Sequence, residues 1–348
     1  MQNYDFSELK ELIEINSYTK NIDGVNENGK LYIEKLQKLN YEIEIFKRKE
    51  FGNHLLFKSP KKDGKKLLLL GHIDTVFPQN IFEKFSEDEE WIYGPGVCDM
   101  KGGNMVMIEA LRNLDEIYNI DIFLVSDEEI GSDDSFQFTS KLAKEYDYCL
   151  VFEAAGINDE VVISRKGIGT FYIEIEGKAA HAGNNYTNGI DANLEAAKKL
   201  IALTNLTNLS KGTTVNVGNI EGGIGANTIS PKAKLSVEIR FTDPQERDRV
   251  LKELHTITHN SFVNGTFSKL SGRIQRDVMQ ENNKQLEFIK NIEKWTGVEL
   301  PTEKRGGVSD ANITASNGCI TLDGFGPFGD GDHTIHERAS KKSYLDRI

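Results

Sequence analysis

Cysteine is scarce in this chain, and the three that occur give no sign of a disulfide framework or a thiolate metal site. Cys98, Cys149 and Cys319 are odd in number, lie far apart and include no Cys-x-x-Cys pair. A disulfide-stabilised secreted domain would carry an even, closely spaced set. We therefore expect all three to be small buried hydrophobic residues.

Long apolar runs and an excess of positive charge are also missing. No stretch reaches the roughly 18 consecutive apolar residues of a membrane span, and the first residues have neither the basic start nor the apolar core of a secretion signal. The net charge of −12 argues against a nucleic-acid-binding surface. These observations predict a cytoplasmic protein that binds neither nucleic acid nor a membrane.

The chain has 348 residues, which is more than one hydrophobic core usually organises. Apolar strands alternate with helical patterns in residues 1–166, which predicts an α/β domain with a mostly parallel sheet flanked by helices. Residues 167–274 read as strand, helix, strand, strand, helix with one-face-buried strands, which predicts an inserted α+β domain. Residues 275–348 then return to the first domain.

The same pattern predicts the bounds of one helix and of the inserted domain. Helical spacing over residues 28–39 predicts the second helix of the chain. The last element of the inserted domain is expected near residues 267–270, and the boundary near Gly272 is expected to act as a hinge.

Three apolar runs end in side chains that can bind a metal. A run of four leucines leads to His72 and Asp74, a second run leads to Glu128 and Glu129, and a third ends at Glu153. The carboxyl ends of parallel strands meet at one edge of a sheet. Adjacent glutamates after a buried strand are costly unless a cation neutralises them. The three strand ends together predict a cation site.

Asp74 lies two residues after His72 and on the same side of an extended backbone. Its carboxylate can therefore hold one ring nitrogen while the other nitrogen binds a metal. Taken alone, a His-x-Asp sequence is more often a polar pair at a strand end. Asp99 adds a further carboxylate, in a glycine-rich segment just ahead of a predicted helix.

Five short segments between about residue 60 and residue 338 carry the candidate ligands. They are Gly71-His72-Ile-Asp74-Thr-Val, Gly94-Pro-Gly-Val-Cys-Asp99-Met-Lys-Gly-Gly, Ser126-Asp-Glu128-Glu129-Ile-Gly-Ser, Glu153 and Asp332-His333-Thr. Together they resemble the ordered motifs of the dinuclear zinc amidohydrolases and metallopeptidases. This family includes glutamate carboxypeptidase, acetylornithine deacetylase, succinyl-diaminopimelate desuccinylase and aminoacylase.

The resemblance implies two zinc ions, with cobalt or manganese as substitutes. Asp99 would bridge the two ions. One zinc would also bind His72 and Glu153, and the other would also bind Glu129 and His333. Imidazole and carboxylate groups are the ligands found at catalytic zinc sites.

Catalytic roles follow from the same resemblance. Glu128 would be the general base, which takes a proton from water and returns it to the leaving amine. Asp74 would support the metal ligand His72. His333 and His336 compete for the last ligand position, and the glycine-rich turn before His333 with a threonine after it favours His333.

The inserted domain is expected to form a lid and a homodimer contact. There, His181 resembles a histidine that reaches the active site of the other subunit and stabilises the oxyanion. The candidate substrate-binding residues are Asn227, Arg240, Arg276, Ser309 and Asp310. Two alternatives remain open, because Arg240 also fits a surface charge on a strand and Asn227 also fits a turn residue.

The implied activity is zinc-dependent hydrolysis of the amide bond of a small peptide or N-acyl amino acid that carries a free carboxylate. The residues that make up the motifs are most similar to those of the glutamate carboxypeptidase branch. A deacylase of the acetylornithine or succinyl-diaminopimelate type is the nearest alternative. A non-catalytic dimeric binding protein on the same fold is an alternative of another class, disfavoured because the base and all five ligands are present.

Overall fold

The computed structural model describes residues 4–348, and these divide into two compact units. The first unit comprises the chain up to Arg165 together with Glu281–Ile348, and the second comprises Lys166–Gln280. Each unit is described below by itself. Among residues 4–348, no helix combines the length and the apolar composition needed to cross a bilayer.

The helices and strands follow in chain order. The helices are α1 (Ser7–Glu14), α2 (Ile22–Gln37), α3 (Lys101–Arg112), α4 (Phe136–Leu142), α5 (Ala192–Thr204), α6 (Pro244–His259), α7 (Asn283–Thr296), α8 (Ala311–Ser316) and α9 (Lys341–Asp346). The strands are β1 (Glu42–Phe46), β2 (His54–Lys58), β3 (Leu67–His72), β4 (Ser86–Glu87), β5 (Trp91–Tyr93), β6 (Ile120–Val125), β7 (Tyr148–Val151), β8 (Val161–Arg165), β9 (Gly167–Glu176), β10 (Thr214–Gly222), β11 (Lys232–Phe241), β12 (Phe267–Arg276), β13 (Thr302–Arg305), β14 (Ile320–Leu322), β15 (Gly329–Asp330) and β16 (Arg338–Ser340).

A six-stranded sheet forms the centre of the first unit, in the order β1-β2-β6-β3-β7-β14. The pairs β6–β3, β3–β7 and β7–β14 are parallel, whereas β1 and β2 are antiparallel strands at one edge. This confirms the predicted α/β fold with a mostly parallel sheet. Because β6, β3 and β7 are parallel neighbours, the residues after all three strands lie at the same edge.

The helices α1, α2 and α3 bury their apolar faces in one core with this sheet. Leu12 and Ile13 of α1, Leu36 of α2 and Ile108 of α3 are all fully buried there. Burying each such side chain contributes about 1.5–3 kcal/mol. The core also takes in Tyr344 of α9, whose side chain is fully buried.

The predicted start of the second helix at residue 28 is wrong, because α2 begins at Ile22. The Asn21 side chain accepts a hydrogen bond from the N–H of Gly24 at 3.3 Å and so caps the helix. Gly24 lowers helix propensity, which hid the first turn in the sequence pattern. A Cβ at Gly24 would lie 2.0 Å from the carbonyl oxygen of Asn16, so glycine is required for close packing rather than for a turn.

The second unit is a four-stranded antiparallel sheet in the order β10-β11-β9-β12, with α5 and α6 on one face. The face against the helices presents Phe171, Ile173, Val237 and Ile239, all buried. The last strand, β12, was predicted too short, since it continues to Arg276. Gly272, where the prediction stopped, allows close approach to β9, because a Cβ there would lie 2.2 Å from the carbonyl oxygen of Thr170.

Candidate metal and catalytic site

His72 is the last residue of β3, and its backbone is held by residues at the start of α3. Its N–H donates to Sδ of Met100 at 3.3 Å, and its carbonyl oxygen accepts from Nδ2 of Asn104 at 2.6 Å. A Cβ at the preceding Gly71 would lie 2.1 Å from Oδ1 of Asn104, so only glycine permits this approach. The position of the imidazole is therefore set by long-range contacts as well as by the strand.

Asp99 lies between β5 and α3 and places its carboxylate between two histidines. Oδ1 of Asp99 is 2.9 Å from Nε2 of His72, and Oδ2 is 3.2 Å from Nε2 of His333. A carboxylate that offers one oxygen to each side has the form of a bridging ligand. Of the two competing histidines, both exposed, it is His333 whose Nε2 lies 3.2 Å from Asp99 and 3.2 Å from Glu129.

Two further acids complete the donor sets on either side of Asp99. Oε2 of Glu129 is 3.2 Å from Nε2 of His333, and Oε1 of Glu153 is 3.8 Å from Nε2 of His72. Ligands around a tetrahedral zinc with bonds of about 2.0–2.2 Å are separated by about 3.3 Å. These separations therefore suit donors that share a cation. Potential ligand atoms of His72, Asp99 and Glu129 all lie within 4.8 Å of one another.

The charge balance of this cluster also favours a cation. Burial, and then the charge of Asp99, raise the pKa of Glu129 to about 8, and burial raises the pKa of Glu153 well above its usual range. Hydrogen bonds to Asp99 and Glu129 raise the pKa of His333 to about 11. The protein alone would thus keep protons on these groups. Divalent metal ions would replace those protons, so the donor set fits metal binding.

Asp74 lies beside Nδ1 of His72 and has contacts beyond the one predicted. Nδ1 of His72 is 3.1 Å from the carbonyl oxygen of Asp74 and 3.5 Å from its Oδ1, so the backbone oxygen is the nearer acceptor. The Asp74 carboxylate also accepts from Oγ1 of Thr19 at 2.7 Å and from the N–H groups of Glu128 and Glu129 at 3.3 Å each. Asp74 therefore supports the turn that bears both glutamates.

Glu128 and Glu129 lie in a short 3-10 turn, Glu128–Ile130, directly after β6. Glu128 is half-buried, whereas the side chain of Glu129 is only 4% exposed. Gly131 ends the turn with φ of +105°, a conformation that favours glycine. In such a turn adjacent side chains diverge, so one glutamate can contact a metal while its neighbour contacts water.

His181 of the second unit is exposed, and its hydrogen bonds determine its tautomer. Nδ1 accepts from the N–H groups of Gly183 at 3.1 Å and Asn184 at 3.2 Å. In the neutral ring, the proton is therefore on Nε2, which is left as a donor. Asn227 is close by, since its carbonyl oxygen accepts from the N–H of Ala182 at 2.9 Å.

Arg240 and Arg276 lie in one row of the second sheet. Both are cross-strand partners of Ile168, one on each side of β9. Direct partners point to the same face of a sheet. Since Ile239 and Phe241 face the helices, Arg240 lies on the opposite face by strand alternation. Arg276 is buried, and Arg240 is half-buried, with Nε donating to Oε1 of Glu238 at 2.8 Å.

Ser309 and Asp310 are buried, with side chains bonded to the protein. Oγ of Ser309 donates to Oδ2 of Asp323 at 2.7 Å, and Oγ of Ser132 donates to Oδ1 of Asp310 at 2.5 Å. Their assignment to substrate binding stays a prediction. The exposed residues of the same segment are the preceding glycines, 306 and 307, which present backbone groups at the surface.

Comparison with known proteins agrees with this geometry. Residues 163–266 match the peptidase dimerisation domain of the M20 type. Carboxypeptidase G2 of Pseudomonas sp. (strain RS-16) is 28% identical over 352 residues, with 97% of this chain and 84% of the relative covered. Succinyl-diaminopimelate desuccinylase of Rickettsia massiliae is 27% identical over 367 residues, with 94% and 93% covered. The chain is thus similar to these enzymes over most of its length, and one segment of it matches the M20 peptidase dimerisation domain.

Solved structures show the same fold. The aminopeptidase PepT of Bacillus cereus superimposes with a TM-score of 0.81 at 23% identity, covering 98% of this chain and 94% of that one. The M20 family metallo-carboxypeptidase Sso-CP2 of Sulfolobus solfataricus gives 0.75 at 16% identity, covering 99% and 97%. The resemblance drawn from the sequence motifs is thus confirmed at the level of the M20 peptidases and amidohydrolases, whose metallopeptidase character implies metal ions.

Thr19 and Asn104 are the supporting residues that the sequence interpretation missed. Both are buried next to M20-type motifs, and both act on backbone or carboxylate groups rather than at a metal. Asn104 lies in the first turn of α3, directly after the two glycines of the Asp99 motif. Its position near that motif was a usable signal, whereas Thr19 lies in a polar segment that resembles an ordinary loop.

We expect Thr19 and Asp74 to be energetically coupled. Thr19→Val removes one bond to the carboxylate and should destabilise the protein by about 1 kcal/mol. Asp74→Asn replaces one carboxylate oxygen with an NH2 donor that faces one of the two N–H groups, and it should cost more. In urea denaturation, the double variant should show a coupling energy of about 1 kcal/mol. Thr204→Val, whose hydroxyl bonds only within α5, should be additive with Asp74→Asn. If the destabilisations caused by Thr19→Val and Asp74→Asn add to within about 0.3 kcal/mol in the double variant, the two residues are not coupled.

Proposed function

We propose that this protein is a two-zinc hydrolase that cleaves the amide bond of a small peptide or N-acyl amino acid bearing a free carboxylate. One observation carries the proposal. The carboxylate of Asp99 lies 2.9 Å from His72 on one side and 3.2 Å from His333 on the other. Glu153 and Glu129 complete a donor set on each side, which is the arrangement that two neighbouring cations require.

Lewis-acid activation of water and of the amide carbonyl is the chemistry that two bound zinc ions would supply. Glu128 directly precedes the proposed ligand Glu129 in the short turn after β6 and is not itself assigned to a metal. As general base it takes a proton from the attacking water and returns it to the leaving amine. His181, with its Nε2–H directed outward, donates to the oxygen that becomes negatively charged.

The substrate's carboxylate is assigned to the arginine row of the second unit. Arg240 and Arg276 share one face and one row, and a guanidinium fork matches the geometry of a carboxylate. Asn227, which lies beside the His181 segment, adds an amide for the same group. The name of the relative carboxypeptidase G2 agrees with a substrate that ends in a carboxylate.

A substrate panel separates the two closest activities. We expect hydrolysis of peptides or acyl amino acids with a free α-carboxylate, and loss of activity when that carboxylate is amidated. Because succinyl-diaminopimelate desuccinylase is a relative of similar coverage, succinylated and acetylated diamino acids belong in the same panel. Faster turnover of these compounds than of peptides with a free carboxyl terminus would favour the deacylase. The specificity constant, kcat/KM, is the quantity to compare.

Glu128→Gln should abolish turnover without releasing metal. General base catalysis typically contributes at least about 100-fold, so kcat should fall by that much or more. Zinc content, measured by atomic absorption after gel filtration, should match the wild type. Glu89→Gln, an exposed acid outside the motifs, is the control. If fully metal-loaded wild-type protein hydrolyses no amide, and chelation followed by zinc changes nothing, the protein is a binding protein instead.

A mixing experiment tests whether His181 acts in the partner's site, since the dimerisation domain suggests a homodimer. His181→Ala and Glu128→Gln should each be inactive alone. After dissociation and equal mixing, half of the dimers are mixed and each has one intact site, so activity should recover to about one quarter of wild type. If verified mixed dimers show no recovery of activity, His181 acts within its own chain or not at all.

A further inference from the structure

Glu337 is a buried acid that the assigned reaction does not use. It follows His333 by four residues and is 1% exposed. Its carboxylate contacts none of the metal-ligand side chains by hydrogen bond. Instead, it accepts three backbone N–H groups from the segment that ends in Asp99: Gly96 at 3.0 Å to Oε2, and Cys98 at 2.9 Å and Asp99 at 3.0 Å to Oε1.

The loop that receives these bonds is irregular backbone whose apolar side chains, Val97 and Cys98, are buried in the core of the first unit. It leaves β5 at Gly94 and includes Gly96 with φ of +82°, so its backbone is neither strand nor helix. Backbone N–H groups that are buried without a partner are strongly unfavourable. The two carboxyl oxygens of Glu337 satisfy three of them at once.

The two loops are brought together by a pair of strands. β5 leads into the Asp99 loop, and β16 begins at Arg338, directly after Glu337. Arg338 pairs with Tyr93 across these antiparallel strands. The loop before β16 contains His333, and the loop after β5 contains Asp99. A single side chain thus links the backbones of two proposed metal ligands that are far apart in sequence.

We propose that Glu337 is a positioning residue for the metal centre, which holds the Gly96–Asp99 backbone so that the Asp99 carboxylate stands between His72 and His333. This inference rests on the proposed two-metal function and adds a residue that acts through the backbone of a ligand. Partners of this kind typically alter metal affinity by about 10–100-fold when they are removed.

The test compares Glu337→Gln with a matched buried acid in the other unit. Glu195 is fully buried in α5, accepts the N–H groups of Phe262 and Val263 at 3.1 and 2.6 Å, and is 3.0 Å from Nζ of Lys199. Glu195→Gln therefore also removes a charge that supports a loop, but no proposed metal ligand belongs to that loop. Glu337→Asp keeps the charge on a shorter side chain and should restore part of the effect.

Two quantities are measured on folded protein at 25 °C. The first is hydrogen exchange of the amides of Gly96, Cys98 and Asp99 in metal-free protein, which should be faster in Glu337→Gln and unchanged in Glu195→Gln. The second is the affinity for Zn²⁺ or Co²⁺ by competition with a chromophoric chelator. It should fall about 10–100-fold in Glu337→Gln and stay within about two-fold of wild type in Glu195→Gln.

Each outcome decides the matter. Metal affinity of folded Glu337→Gln within about two-fold of wild type overturns the proposal, as does an equal loss of affinity in Glu195→Gln, which would indicate a general loss of stability. If Glu337→Gln does not fold, Glu337→Asp is subjected to the same two measurements and the same limits. If wild-type protein binds neither metal, the proposed function fails, while amide exchange still decides whether Glu337 holds the loop.

Discussion

The carboxylate of Asp99 between two imidazole rings is the interaction on which the rest of the site depends. Its two oxygens lie 2.9 and 3.2 Å from ring nitrogens that belong to opposite ends of the first unit's sequence. Glu129 and Glu153 then add negative charge within the same buried space. Like charges this close are unfavourable unless cations or protons lie among them. The surrounding structure therefore has to hold the donors against their mutual repulsion.

Much of that restraint acts on the backbone rather than on the donor side chains themselves. Asn104 binds the carbonyl of His72, Asp74 binds the N–H groups of the two glutamates, and Glu337 binds the N–H of Asp99. A fixed backbone determines where each of these side chains starts. The donor atoms at the end of the side chain stay free to bind a cation. The sheet also holds the backbone of His72 in place, because its strand β3 is hydrogen-bonded to a neighbouring strand on each side.

Sequence patterns predicted the parts of this arrangement that are local. The metal-ligating strand ends, the α/β class and the inserted α+β unit follow from periodicity and from residues next to strands. Contacts between distant segments were not predictable in the same way. Asp74 is two residues from His72, yet its carboxylate turns to Thr19 and to the Glu128 turn, a choice set by packing between segments.

Two features of the fold illustrate why boundaries were harder to predict than elements. Gly24 reads as a break in a helical pattern, but in the structure it allows α2 to pass close to Asn16. Gly272 reads as a hinge, but it allows two strands to approach closely. In both cases glycine marks contact with a neighbouring segment. The sequence likewise did not reveal that Arg240 and Arg276 lie in one row of the sheet, because their alignment depends on strand order and register.

In the proposed function, the residues that recognise the substrate carboxylate belong to the second unit, and the candidate metal ligands belong to the first. Its helices cover one face of an antiparallel sheet, and the arginine row lies on the other. His181 and Asn227 occupy neighbouring loops of the same unit. Changes in this sheet would therefore alter what is bound without moving a single metal-ligating side chain. M20 relatives with different names over a similar length of chain agree with such a separation.

The position of the inserted unit has a consequence for biosynthesis. His72, Asp99, Glu129 and Glu153 leave the ribosome before the insertion, whereas His333 and Glu337 emerge only after it. A nascent chain that stalls within the insertion exposes an acidic cluster without its last histidine and without the side chain that holds the Asp99 loop. Domains fold largely in the order of synthesis. The proposed donor cluster is thus complete only after the whole of the first unit has been translated.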